Sequence, residues 1–458
     1  MPPYRQFRSR PDLKPPLVRV LTPAHGTEPG YIFIAPKKHV AQAGPLILDD
    51  RGRVVWFHPL DTRGVTDFRV QRYRGRPVLT WWRGRPARGH GTGGYTIADS
   101  AYRTIAVVRP GHGLVGDIHE FLITSRGSAL LTIFHRVRRD VSALGGATNA
   151  EVFEGVVQEV DVASGRVLFE WHSIDHVRPA ESYYRPPPPD RASSAPPYDY
   201  FHVNSIDVDT DGNLLVSARN THAVYEISRR TGRILWRLGG KRSDFTFGPG
   251  ARFAWQHDAR RRLDGTITLF DNEAAPKSGP QSRAIVLRLE PRRRRAILVR
   301  SLVHHPPLLS ADQGNVQLLP DGHYLVGWGA RAYVTEFDRG GRVLVDLRFG
   351  SGADSYRAYR FPWRGRPHDR PALAVARARG GKVQLFVSWN GATEVHSWQV
   401  LAGDDPRRLQ PLRTAAKTGF ETAITIDPSE RYVAVRALTE RRTVLARSDS
   451  VAVPPDTH

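Results

Sequence analysis

Six times between Asp67 and Asn390 the sequence returns to one pattern: a strand-like run, a turn containing glycine, then a more apolar run. The copies are "DFRVQRYRGRPVLTWW", "DIHEFLITSRGSALLTIF", "HVNSIDVDTDGNLLVSAR", "QHDARRRLDGTITLFDN", "GNVQLLPDGHYLVGWG" and "PALAVARARGGKVQLFVSWN". A second kind of hairpin follows several of them, as in "VVQEVDVASGRVLFEW", "AVYEISRRTGRILWRL", "AIVLRLEPRRRRAILV" and "YVTEFDRGGRVLVDLRF". Period-2 alternation around D-G, G-G and G-R turns marks both kinds as antiparallel. Taken together they make four strands per unit. The turn glycines Gly212, Gly265 and Gly322 are 53 and 57 residues apart. A four-stranded unit cannot bury both its faces alone, so units of this length stack around an axis as the blades of a β-propeller.

The predicted fold is therefore all-β, a single propeller of four-stranded antiparallel blades. The hairpin count gives seven blades, with six as the alternative. "GYIFIAP" and "GPLILDDRGRVVWF" near the start read as outer strands, and "ETAITIDPSERYVAVRAL" near the end as inner ones. Pairing them would close the ring. This divides the chain into an N-terminal extension over 1–28, a propeller over 29–450 and a tail over 451–458. The 41 Gly and 35 Pro of the 458 residues agree with a fold rich in turns.

Composition narrows the chemistry. With no cysteine, a thiolate metal site and a cysteine nucleophile are excluded. The start, "MPPYRQFRSRPDLKPP", is basic and proline-rich with no apolar run of about 7 to 15 residues behind it, so no secretory leader is read and a cytoplasmic location is the default. No run approaches the roughly 18 apolar residues of a spanning helix, and no membrane is expected. The formal charge of +22 would attract polyanions. The basic residues are dispersed, however, and the one dense run, Arg292 to Arg295, reads as a solvated hairpin tip, so no specific nucleic-acid partner is expected.

In a propeller the first strand of each blade lines the channel, and the starts of those strands converge at one end. His119 precedes its turn glycine by eight residues, His202 by ten, His257 by eight and Asn315 by seven. Three consecutive units thus offer a histidine and the next an asparagine. Arg219 ends the strand that pairs with the one led by His202 and Asn204, which returns it to the same mouth. Three imidazoles are also a catalytic zinc set, but Arg219 would put a fixed cation beside the ion, with only Glu120 and Asp258 adjoining two of the histidines. The expectation is no metal and no cofactor. The remaining readings are histidines that merely pin the inner strands, and a cationic pocket for a tetrahedral anion in which an imidazole is the nucleophile. His58, His90, His112, His304, His305 and His323 read as exposed, and "HGTGGY" leads into a strand, so it is not a phosphate loop.

At these residues the chain resembles the nucleotide-independent arylsulfotransferases. The resemblance is carried by "PGYIFIAP", "GPLILDDRGRVVWF", "DIHEF", "FHVNSIDVDTDGNLLVSAR", "WRLGGKRSDF", "QHDAR", "GNVQLLPDG" and "SWNGATEV". It implies ping-pong transfer of a sulfuryl group from a phenolic sulfate ester to a phenol through a sulfohistidine. By motif, His257 would be the nucleophile; His202, Asn204 and Arg219 would hold the sulfuryl oxygens. His119 would serve as proton donor and base, and Asn315 as a further substrate contact. The small-molecule partners implied are an aryl sulfate and a phenol. The characterised bacterial members carry an additional N-terminal β-domain that is not seen here. The competing class is a non-catalytic propeller that binds an acidic ligand or a protein on its channel face.

Overall fold

The alternating runs form antiparallel sheets in the computed structural model, which describes residues 3–62, 64–378, 381–427 and 430–455. Among the described residues, six sheets are four-strand meanders ordered along the chain. The second to sixth occupy 64–108, 121–172, 203–239, 257–302 and 315–349. The first takes Tyr31–Ile34, Leu46–Leu48 and Val54–Phe57 from the start of the chain, and its innermost strand, Ala358–Phe361, from beyond the sixth. Ile34 lies opposite Ala358 and Tyr31 opposite Phe361.

This corrects the expected closure. Strands from the two sides of the ring do share a sheet, but the segment that closes it is Ala358–Phe361, not the C-terminal run. "ETAITIDPSERYVAVRAL" is not a hairpin. Its strands Glu421–Ile426 and Tyr432–Leu438 pair in two different sheets, with Val383–Ser388 and Ser397–Gly403 respectively. The run from Pro371 joins the first of these two sheets. Residues 372–452 therefore build a separate pair of sheets around their own core, which includes Leu385, Trp398, Val400, Ile424 and Val435. Two of the seven counted hairpins lie here, outside the six meanders. Residues 379–380 and 428–429, expected to be turns, and residues 456–458 of the expected tail lie outside the described residues. The N-terminal extension adds a strand of its own, Val18–Thr22, to the outer edge of the sixth sheet.

The channel edge of an innermost strand has backbone groups with no ladder partner. Side chains from the neighbouring sheet take them up around the whole ring. Thr66 Oγ1 donates to the Ile118 carbonyl (2.6 Å), Ile206 N–H to Glu120 (3.3 Å), Asn204 Nδ2 to the Gln256 carbonyl (2.8 Å) and Arg262 to the Val316 carbonyl (2.8 Å). Asn315 then bonds both backbone groups of Ala358 (2.8 and 2.9 Å), and Arg357 reaches Asp67 (2.8 Å) to complete the cycle.

The axis is filled. Irregularities at the starts of the inner strands, with φ 52° at Asp67 and 57° at Asp258, turn acidic side chains inward. There Asp67, Glu120 and Asp258 meet Arg69, Arg260 and Arg357, all buried. Burial alone would raise the Glu120 carboxyl, but the three guanidiniums hold it below its ordinary range. The Arg292–Arg295 run forms a hairpin tip, with Pro291–Arg293 as one exposed turn.

Candidate functional site

At the irregular starts of the inner strands neighbouring side chains part to different sides, and this sorts the channel. Glu120 and Asp258 enter the axial network, whereas His119 and His257 beside them join His202 at one mouth. One ring nitrogen from each of the three lies within 4.8 Å of the others. His119 and His257 are buried, and His202 retains some exposure.

Every ring is held by its Nδ1. His119 Nδ1 bonds Asp117, and His202 Nδ1 bonds Asp199. His257 Nδ1 lies 2.8 Å from Asn272 Oδ1, while Asn272 Nδ2 donates to the carbonyls of Ser310 (3.1 Å) and Gln313 (2.9 Å). With its amide protons committed, Asn272 can only accept from His257. The proton of His257 is therefore on Nδ1 and the lone pair on Nε2. That nitrogen accepts one long contact, from the Gln313 N–H at 3.3 Å. Burial first, and the Arg219 cation second, push His257 well below the ordinary imidazole value, so it is neutral. Burial also lowers His119, against the opposing pull of Asp117.

Arg219 stands just past the end of Leu214–Ala218 in the fourth sheet. Its guanidinium donates to Asn220 Oδ1 (2.9 Å) and to the carbonyls of Ala275 and Ala311 (3.2 Å each), and it lies 4.7 Å from the Trp255 ring. Its enclosed Nε has no partner, and no carboxylate forms an ion pair with it among the described residues. The two asparagines do not join the histidines. Asn204 and Asn315 are clamps between innermost strands, and Asn315 has spent both ends of its amide on Ala358. The structural reason is the open strand edge described above, which a side-chain amide satisfies by imitating a peptide group.

Several site residues escape a reading of the sequence. Tyr356, buried, places its ring centroid 5.5 Å from that of His119 and 6.5 Å from that of His257. Phe134 lies 5.4 Å from His119 and 5.2 Å from His202. His90, expected to be exposed, is half-buried against Phe134 (5.5 Å) and Phe153 (4.5 Å), and the neighbouring Gly91 N–H donates to Asp117 (2.7 Å). "HGTGGY" thus supports the group that orients His119. The only sign of this in the sequence is a glycine run in an otherwise regular strand. His304, also expected outside, is buried against Trp328 and Tyr333 with its Nε2 3.2 Å from Asp346.

Three oriented imidazoles could hold a divalent ion. Equally, a neutral imidazole whose Nε2 lone pair is held only by the long Gln313 contact, beside a guanidinium with no carboxylate partner among the described residues, suits a tetrahedral anion bearing an electrophilic centre. The fold and the site together describe a propeller protein with a histidine-rich channel mouth. The profile of the family described as Arylsulfotransferase (ASST) matches residues 69–350, more than half of the chain. The chain belongs to the arylsulfotransferase family, whose members in general take aryl sulfates and phenols.

Among proteins of curated function none matches the sequence. Similar solved structures include a protein of unknown function from Bacteroides caccae, 14% identical, covering 73% of this chain and 99% of that one with a TM-score of 0.42. A catalytically inactive virginiamycin B lyase from Staphylococcus aureus is 7% identical, covering 81% and 95%, with a TM-score of 0.36. A protein from Lactobacillus plantarum is 12% identical, covering 87% and 99%, with a TM-score of 0.37. Likeness at this level carries no implication for chemistry.

Proposed function

We propose that this protein transfers a sulfuryl group from an aryl sulfate to a phenol, with His257 as the nucleophile. The observation that carries the reading is the fixed tautomer of His257: Nδ1–H is tied to Asn272, which leaves Nε2 as the basic atom beside His119, His202 and Arg219. In the first half-reaction the Nε2 lone pair attacks sulfur, the S–O(aryl) bond breaks, and the phenolate leaves with the bonding pair. The N-sulfo imidazolium keeps its Nδ1 proton on Asn272. Arg219, through its unpartnered Nε, and His202 face the sulfuryl oxygens, and Phe134 offers a face to the aryl ring. In the second half-reaction His119, kept neutral by burial, takes the acceptor's phenolic proton. The new oxygen attacks sulfur, and the N–S bond returns its pair to Nε2.

The test uses donor alone. A chromogenic aryl sulfate should release about one equivalent of phenolate in a burst, and the peptide containing His257 should gain the mass of one sulfuryl group. A label on His119 or His202 would keep the chemistry and move the nucleophile. No label, with full turnover in His257→Ala, would remove the covalent mechanism, and absence of any turnover in the wild type would favour the non-catalytic binding reading.

A further inference from the structure

The strand pair that supplies Phe134 and Phe153 to the site carries a second constellation on its opposite face. His135 and Glu154 are direct cross-strand partners, and His172 ends the next strand over. Both histidines bring Nδ1 to the same carboxylate oxygen, Glu154 Oε1, at 2.8 and 3.0 Å. Glu154 is 2% exposed, and its other oxygen, Oε2, is enclosed with no partner among the described residues. A buried carboxylate oxygen left unpaired is costly, and it is normally satisfied by a donor or a cation.

We infer that His135, Glu154 and His172 form a site for a divalent transition-metal ion, zinc by the chemistry of the ligand set, with an open position towards solvent. One ligand atom from each of the three lies within 4.8 Å of the others. Two imidazoles and a carboxylate are a common zinc set, and both rings are half-exposed, which gives the ion a way in. The surroundings fit coordination through Nδ1. When a ring binds metal through Nδ1, its proton moves to Nε2, and His172 Nε2 already faces Glu170 Oε1 at 3.2 Å. Glu170 is itself fixed by Gln158 Nε2 (2.6 Å) and His112 Nδ1 (2.9 Å). This is the carboxylate–histidine–metal arrangement in which an outer carboxylate orients the ligand and strengthens it as a base. The ion would tie together three strands of the third sheet directly behind the aromatic wall of the candidate site. It is separate from the channel histidines, which lie on the other face.

The experiment titrates the metal-stripped full chain with Co²⁺ and Zn²⁺, following the cobalt d–d absorption and the melting temperature. One Co²⁺ per chain should give a visible band that zinc displaces, and zinc should raise the melting temperature. Glu154→Gln should abolish the band, and Glu170→Gln should weaken binding about 10–100-fold. His257→Ala should leave binding unchanged. Should Glu154→Gln fail to fold, His135→Asn and His172→Asn, at half-exposed positions, decide the matter: each must weaken binding. A band lost in His257→Ala but retained in the His135 and His172 variants would overturn the proposal and place the metal at the channel mouth. Absence of any stoichiometric binding would overturn it outright.

Discussion

Asn272 accepts the Nδ1 proton of His257 at 2.8 Å while giving its own amide protons to the carbonyls of Ser310 and Gln313. A neutral amide fixes this ring, whereas a carboxylate holds each of the other two, Asp117 on His119 and Asp199 on His202. Asn272→Ala should lower kcat about 100-fold with little change in KM, because the nucleophile loses its aim and not its substrate. Asn272→Asp should keep the orientation but raise the His257 pKa, moving the acid limb of the pH–rate profile upward. Equal profiles for the wild type and Asn272→Asp would show that His257 is not the group being titrated.

The wild-type profile has a sign that follows from burial. Both half-reactions need neutral imidazoles, and His257 and His119 are held below the ordinary value of 6.5. Activity should therefore stay on its plateau as the pH falls through 6.5 and decline only below it. Single-turnover release of phenolate from pH 5 to 8 checks this. A midpoint at or above 6.5 would contradict the desolvated site.

Much of this site could be read from the sequence, and the reason is geometric. A histidine at the start of an innermost strand is brought to the axis by the repeat itself, so His119, His202 and His257 are legible from their distance to a turn glycine. Asn315 satisfies the same count and yet does other work, because counting cannot tell a side chain that faces the mouth from one that clamps the next strand. Asn272 and Tyr356 sit just outside strand ends, and Phe134 lies mid-strand, at places that meet the histidines only once the ring is closed. The closing strand is hidden for a related reason: Ala358–Phe361 is only four residues long, whereas the strands within 421–438 alternate well and resemble inner strands in isolation.

Arg219→Lys separates charge from shape. Lysine keeps the cation but loses the planar fork and the Nε–H that has no partner among the described residues. If that group holds a sulfuryl oxygen, the rate of His257 sulfurylation should fall about 100- to 1,000-fold, the usual cost of one oxyanion contact. The transition-state interaction should be lost from kcat more than from KM. An unchanged rate would leave Arg219 a structural residue that packs on Trp255.

The axial network gives a stability prediction. Arg357 is fully buried and links Asp67, Glu120 and Asp258. Arg357→Ala would strand three carboxylates around one fewer cation, and breaking a buried ionic group in this way costs about 3–5 kcal/mol. The midpoint of urea unfolding should shift accordingly at neutral pH. A variant as stable as the wild type would mean that water or rearranged Arg69 and Arg260 can take over the charge.

Removal of the C-terminal sheets tests which strand closes the ring. Residues 372–452 have their own core, and they meet the first and second sheets through Phe420, which joins the core of the first sheet, and through a small set of bonds. Asn390 pairs both backbone groups of Phe57 (2.9 Å each), Gly391 N–H donates to Val55 (2.9 Å), and Tyr102 donates to the Gly391 carbonyl (2.7 Å). At about 1 kcal/mol net apiece, these are worth a modest part of the stability of a domain this size. A chain ending at 368 should therefore retain the β spectrum and a cooperative melt at a lower temperature. It should also associate at high concentration, because the outer strand Val54–Phe57 loses its cover. Deleting 354–458 should instead remove Ala358–Phe361, Arg357 and Tyr356 together, open the first sheet and abolish cooperative folding. If the shorter deletion also unfolds the chain, the C-terminal sheets are part of the ring's folding unit, and Ala358–Phe361 alone does not suffice to close it.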